Sequence, residues 1–155
     1  EAAARNATAG KILARWTSAL TARGQLAVQL PARTNRVWET CAEEIGRSAP
    51  FVDALGPAVS LASDALSVTQ YSQVLAKLGY REQHVRLQVY GHWLSGPEDV
   101  VTWADGAMLS GYRARLGPTL YANFLEIYRA SLLTQVEDAR PFFFPFERVL
   151  FWARR

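Results

Sequence analysis

Apolar positions along this chain recur with two periods in turn, and that alternation predicts an α/β fold. Ile12, Leu13, Trp16 and Leu20 repeat at helical spacing, and Arg23-Gly24 supplies a stop. Gln25 to Leu30 (QLAVQL) then alternates apolar with polar and closes on Pro31, as a strand does when its loop leaves the sheet. Val37, Trp38, Cys41 and Ile45 put one apolar face on a short helix that Gly46 is placed to cap. Ser48 to Asp64 is turn-rich and shows neither period. Val68, Tyr71, Val74, Leu75 and Leu78 mark a further amphipathic helix ended by Gly79, and His84 to Trp93 alternates around Val85, Leu87 and Val89 as a second strand.

Ser95-Gly96-Pro97-Glu98 has the form of a helix start, with serine as cap, glutamate three residues on to reach back, and a proline that needs no amide donor. That helix should run to about Ala107. Pro118 opens another, with Leu120, Tyr121, Phe124, Leu125, Tyr128 and Leu132 on one stripe before Glu137-Asp138. The two prolines of the aromatic segment Pro141 to Phe146 argue against a central strand there. Val149 to Ala153 reads as the last strand, buried except for its arginines.

Composition narrows the class. A chain of 155 residues that is 50% hydrophobic and 20% charged can bury a core, which excludes disorder. The net charge of +3 is spread along the chain, and only Arg81/Arg86, Arg113/Arg115 and Arg154/Arg155 come near the clustering that a nucleic-acid surface needs. No nucleic-acid partner is therefore expected. A single cysteine, Cys41, cannot form an internal disulfide, and no apolar run approaches the roughly 20 residues that cross a bilayer. A soluble, cytoplasmic chain without a membrane partner is expected. The only methionine is Met108, so upstream sequence or a removed leader is expected as well.

Three segments carry a family resemblance: LTARGQLAVQLP at Leu20 to Pro31, LSGPEDVVTWADGAML at Leu94 to Leu109, and RPFFFPFERVLFWARR at Arg140 to Arg155. In this order they resemble the fifth strand with its preceding turn, the helix after the sixth strand, and the closing strand of class I S-adenosylmethionine-dependent methyltransferases of the trans-aconitate type. The resemblance implies a partial Rossmann-like methyltransferase fold, holding the last three strands of the family's sheet with a helical insertion, and the closing strand between the other two. Residues 11–155 would be this carboxyl-terminal half, and residues 1–10 a leader or junction. Members of the family hold the cofactor on a Gly-rich turn after their first strand, which no segment here supplies. S-adenosylmethionine is thus implied by the family, with no cofactor expected on this chain alone. A complementary methyltransferase half, or a homodimer covering the bare edge of Gln25 to Leu30, is the expected partner.

The resemblance also suggests an acceptor site for a small-molecule acid. Tyr90-Gly91-His92-Trp93-Leu94 resembles the family's Tyr-x-His-x-Leu segment, where the histidine borders the acceptor pocket. His92 could donate to the substrate there, although a loop histidine that bonds only backbone carbonyls is the plainer reading. Trp103 and Tyr112 would wall the same pocket, against the plainer reading of Trp103 as core. Asp105 and Ser110 stand where aconitate-methylating members carry basic residues, which argues against a tricarboxylate acceptor. Arg113 and Arg148 remain as candidates for a carboxylate contact, or as solvated arginines. No metal-ligand spacing, Walker loop or nucleophile elbow is present. Cys41 falls on a helix's apolar face, which disfavours a thiol pair with His84 or His92.

Overall fold

The computed structural model describes residues 2–32, 36–56 and 65–155, with side chains from Thr8 onward. The chain runs α1 (Ala2–Ser18), β1 (Gln25–Pro31), α2 (Val37–Gly46), α3 (Phe51–Leu55), α4 (Val68–Lys77), β2 (Glu82–Leu94), α5 (Glu98–Gly106), α6 (Ser110–Gln135) and β3 (Phe142–Arg154). The strands form one sheet in the order β1-β3-β2, with β1 antiparallel to β3 and Gln25 opposite Arg154 through to Pro31 opposite Arg148. The closing strand lies between the other two, as the resemblance implies. The chain divides into two compact units, residues 1–34, 63–90 and 145–155 in the first and residues 35–62 and 91–144 in the second.

In the first unit, alternation on β1 turns Leu26 inward and leaves Gln25, Ala27 and Gln29 exposed. Leu26 meets Leu13, Tyr71, Leu75, Tyr80, Val149, Phe151 and Ala153 in one core. Three of these, Leu13, Tyr71 and Leu75, come from α1 and α4, whose apolar residues recur along one face of each helix. Ser67 begins α4 with a full capping box: its hydroxyl accepts from Gln70 N, while the Gln70 side chain accepts from Ser67 N. Gly79 ends the segment with φ 88°, a conformation cheap only for glycine. Thr17, though buried, is satisfied by the Leu13 carbonyl at 2.7 Å and the Tyr80 hydroxyl at 2.9 Å.

The second unit is helical and aromatic. Phe124, Tyr128 and Leu132 on α6, with Val100 and Ala104 on α5 and Cys41 on α2, are almost wholly buried. Gly117 interrupts α6 with φ 68° and ψ 171°, and Pro118 starts its second part, as its place in the sequence predicts. This kink has a measurable effect. Twelve residues of straight helix would hold Tyr112 and Phe124 roughly 18 Å apart along the axis. Their ring centroids are instead 4.8 Å apart and stacked.

Four expectations need correction. Glu98 does not cap α5, because both its carboxylate oxygens accept from the Arg140 guanidinium; that charge-assisted pair outcompetes a backbone amide. Asp99 takes its place and accepts from Ser95 N at 2.9 Å. Gly46 is the last residue of α2 rather than a left-handed cap, and its role is close approach: a Cβ there would lie 3.0 Å from Tyr112 and 3.2 Å from Leu55. The closing strand is longer than Val149 to Ala153, and it carries Pro145 in the middle of the sheet. Register with β1 stops at Arg148, so around Pro145 the strand has no β1 partner and a missing amide costs little. Leu150 and Trp152, lastly, are only half-buried. The turn-rich stretch contains α3, and its residues 57–64 lie outside those described.

Candidate functional site

Phe144 organises the second unit's aromatic cluster. It is 1% exposed, alternating on β3 with the exposed Phe143 and Pro145. Trp38 from α2 packs on it at 4.8 Å, Trp103 from α5 meets it edge-on at 5.3 Å, and the His92 ring of β2 lies 6.5 Å away. The structure therefore brings His92 and Trp103 to one ring, as the sequence suggests. His92 is exposed and Trp103 partly so. Arg36, just before α2, holds its guanidinium 5.6 Å from the Trp38 ring and 3.8 Å from Glu39, with its side chain only 6% exposed. Sequence reasoning missed Arg36, Trp38 and Phe144 as members of this group. An arginine three residues before a glutamate at a helix start is the one signal that could have drawn attention to Arg36. With Phe144 and Trp38 buried, what the cluster offers to solvent is part of the Trp103 ring and the His92 imidazole.

Tyr112 does not join them. It is 2% exposed, stacked on Phe124 and packed beside Gly46, within the filled interior of the second unit. Burial first, and the Glu43 charge second, push its phenol well above the ordinary value. Its hydroxyl and that of Tyr128 are buried without a hydrogen-bond partner. Neither His92, Trp103 nor Tyr112 lines the apolar groove of about 370 Å³ found in the first unit, whose walls include Ile12, Leu13, Trp16, Val28, Leu30 and Phe151.

The two arginines fall in different units. Arg113 Nη2 donates to the Asp105 carboxylate at 2.5 Å and to the Asp105 carbonyl at 2.9 Å, and its guanidinium lies 5.2 Å from the Tyr121 ring. The Tyr121 hydroxyl donates to the same Asp105 oxygen at 2.5 Å. Burial would raise the Asp105 carboxyl, but the Tyr121 and Arg113 hydrogen bonds and the guanidinium charge together hold it below its usual value. Tyr121 is correspondingly pushed up to about 12, by burial and then by Asp105. Arg148 belongs to the first unit, opposite Pro31, with its guanidinium 5.6 Å from the Phe146 ring.

Nucleophilic and metal chemistry find no support. Cys41 is fully buried, and desolvation raises its thiol above the usual value, which keeps it protonated and unreactive. Among the described residues, no three histidine, cysteine or acidic side chains gather as a metal site. The one described strand-to-helix connection is that from β2 to α5, and it does not fit a nucleotide cofactor. Its Gly96 is buried, and a Cβ there would collide with the Arg140 and Glu98 side chains, so no open cradle of amides is presented. No described helix is long and apolar enough to cross a membrane.

No protein-family model matches the chain. Among curated proteins, it is 32% identical over 149 residues to a trans-aconitate 2-methyltransferase of Deinococcus radiodurans, covering 94% of this chain and 57% of the relative. It is 28% identical over 121 residues to a trans-aconitate 2-methyltransferase of Paracidovorax citrulli, covering 78% of this chain and 46% of the relative. The chain spans about half the length of the curated relatives it matches. Over nearly its whole length the chain is thus similar to the carboxyl-terminal half of curated proteins named trans-aconitate 2-methyltransferase, and its sheet, with the closing strand in the middle, is compatible with a partial methyltransferase fold.

Proposed function

We propose that the chain is the acceptor-binding half of a small-molecule S-adenosylmethionine-dependent methyltransferase, which acts on a carboxylic acid once joined by a cofactor-binding half. The similarity over 94% of this chain, matched to only 57% of the relative, carries this reading. The filled β2–α5 connection supports the second part, because that turn presents no open amides to a nucleotide cofactor. His92 and the exposed part of Trp103 would face the acceptor, backed by the buried Phe144 ring. Both named relatives methylate trans-aconitate by name. With Arg113 already paired to Asp105, the acceptor proposed here is an acid of lower charge.

The test is calorimetry with S-adenosylmethionine, first on the chain alone and then with the amino-terminal half of a relative added. The chain alone should not bind tighter than about 10 μM, roughly −7 kcal/mol. Binding and methyl transfer should appear on complementation. A dissociation constant below that limit for the isolated chain overturns the division of labour.

A second reading has its own observation. Ile12 and Trp16 are each 45% exposed beside the 370 Å³ groove, and β1 is an edge strand without charge. A non-enzymatic module that pairs two copies across β1 would cover both. Light scattering at micromolar concentration separates the two: a monomer removes this second reading, and a dimer that never gains methyl transfer on complementation favours it.

A further inference from the structure

Arg113, Asp105 and Tyr121 form the most tightly connected polar group on the second unit. The kink at Gly117 makes it possible, since Arg113 precedes the kink and Tyr121 follows it. One carboxylate oxygen receives both donors, from a guanidinium and from a phenol. A guanidinium and a hydroxyl converging on one point is how proteins bind a free carboxylate or a phosphate. Here the anion comes from the chain itself.

The donors do not depend on that anion for their position. Arg113 is also held by the Asp105 backbone carbonyl at 2.9 Å and by the Tyr121 ring, neither of which needs the Asp105 side chain. Tyr121 is anchored by its own burial, at 7% exposure, and by its stack on Phe124. A depression of about 270 Å³ adjoins the group, lined by Val101, Thr102, Asp105, Leu125, Glu126 and Arg129. Asp105 is the member of the group that reaches this depression, beside Glu126 and Arg129, so removing its carboxylate would open the space next to the two donors.

We propose that Arg113 and Tyr121 form a carboxylate-binding site that Asp105 fills from within, so that Asp105 is the residue closing this face of the helical unit to external carboxylates. The inference stands on the chain alone and holds whether or not the methyltransferase reading does. While Asp105 is charged, an incoming carboxylate meets a like charge and two donors already in use. With a short neutral residue at 105 that cannot reach them, the same donors are free and preorganised.

Calorimetric titration of the whole chain with citrate tests this, with circular dichroism as the check on folding. Up to about 1 mM citrate the wild type should show no saturable binding, whereas Asp105→Ala should bind with a dissociation constant of about 100 μM or lower, a gain of at least about tenfold, and Arg113→Gln added to Asp105→Ala should remove the gain. If Asp105→Ala does not fold, Asp105→Ser is read in the same way, since its hydroxyl is neutral and too short to occupy both donors. Equal binding by wild type and variant, or a gain that survives Arg113→Gln, overturns the proposal.

Discussion

The two units stabilise themselves differently. The first packs helices on a sheet and leaves apolar surface uncovered, with Trp16 and Ile12 half-exposed over an open groove. The second is filled, with Tyr112, Phe124 and Tyr128 in parallel stacks and Cys41 and Val100 at 0% exposure. The second unit closes an aromatic core of its own, with Trp93 and Phe143 left exposed on its surface, whereas the first keeps the β1 edge beside an open groove. The difference matches the proposed division: the helical unit is the self-contained part, and the sheet unit the part that expects completion.

The largest test of this contrast is alkaline pH. Burial raises the phenols of Tyr112, Tyr121 and Tyr128 in the second unit above their ordinary values, against Tyr71 alone in the first. These groups hold their protons more tightly when folded, so their contribution is fully present below about pH 10 and is lost as pH climbs through the folded values. Hydrogen exchange with tyrosinate absorbance should show the second unit opening first above pH 10. Earlier opening of the first unit would break the comparison.

Next is Phe124→Ala, which removes the ring shared by the stacks and should cost about 3–5 kcal/mol in denaturant unfolding. Gly117→Ala should cost about 1–3 kcal/mol, because φ 68° with ψ 171° is nearly closed to any side chain. Trp16→Ala, at the mouth of the groove, should cost about 1 kcal/mol or less in the isolated chain, by virtue of its exposure. Smallest is Gly91→Ala, whose Cβ would press only on the exposed Phe143 ring, a side chain free to swing away; under about 1 kcal/mol is expected. A Trp16→Ala loss as large as that of Phe124→Ala would show the first unit to be equally self-sufficient.

Much of the fold was legible because periodicity reports burial directly. The spans of β1, α2, α4, β2 and α5, and the break at Pro118, follow from apolar spacing and from glycine and proline. What failed depends on partners distant in sequence. Nothing near Glu98 shows that Arg140, 42 residues away, takes its carboxylate. On β3 the inward positions are Phe144 and Phe146 in its first part, then Val149, Phe151 and Ala153, so no single alternation runs through the strand. The candidate site was less legible. Resemblance singled out His92 and Trp103, but Phe144, the ring between them, lies in the segment whose prolines hid a strand. Arg113 was visible as a cation, while its engagement required Tyr121 from beyond the kink.

The kink in α6 makes length as consequential as identity. Between Tyr112 and Gly117 the chain must keep its residue count, because each residue turns a helix by about 100°. One insertion or deletion at 113–116 would swing Tyr112 away from Phe124 and carry Arg113 away from Tyr121, although every side chain involved remained present. The same change beyond Leu132, after the last buried residue of α6, would disturb neither pair. Among homologous chains, this five-residue spacing should be held fixed even where the residues within it drift, while the end of α6 varies freely in length.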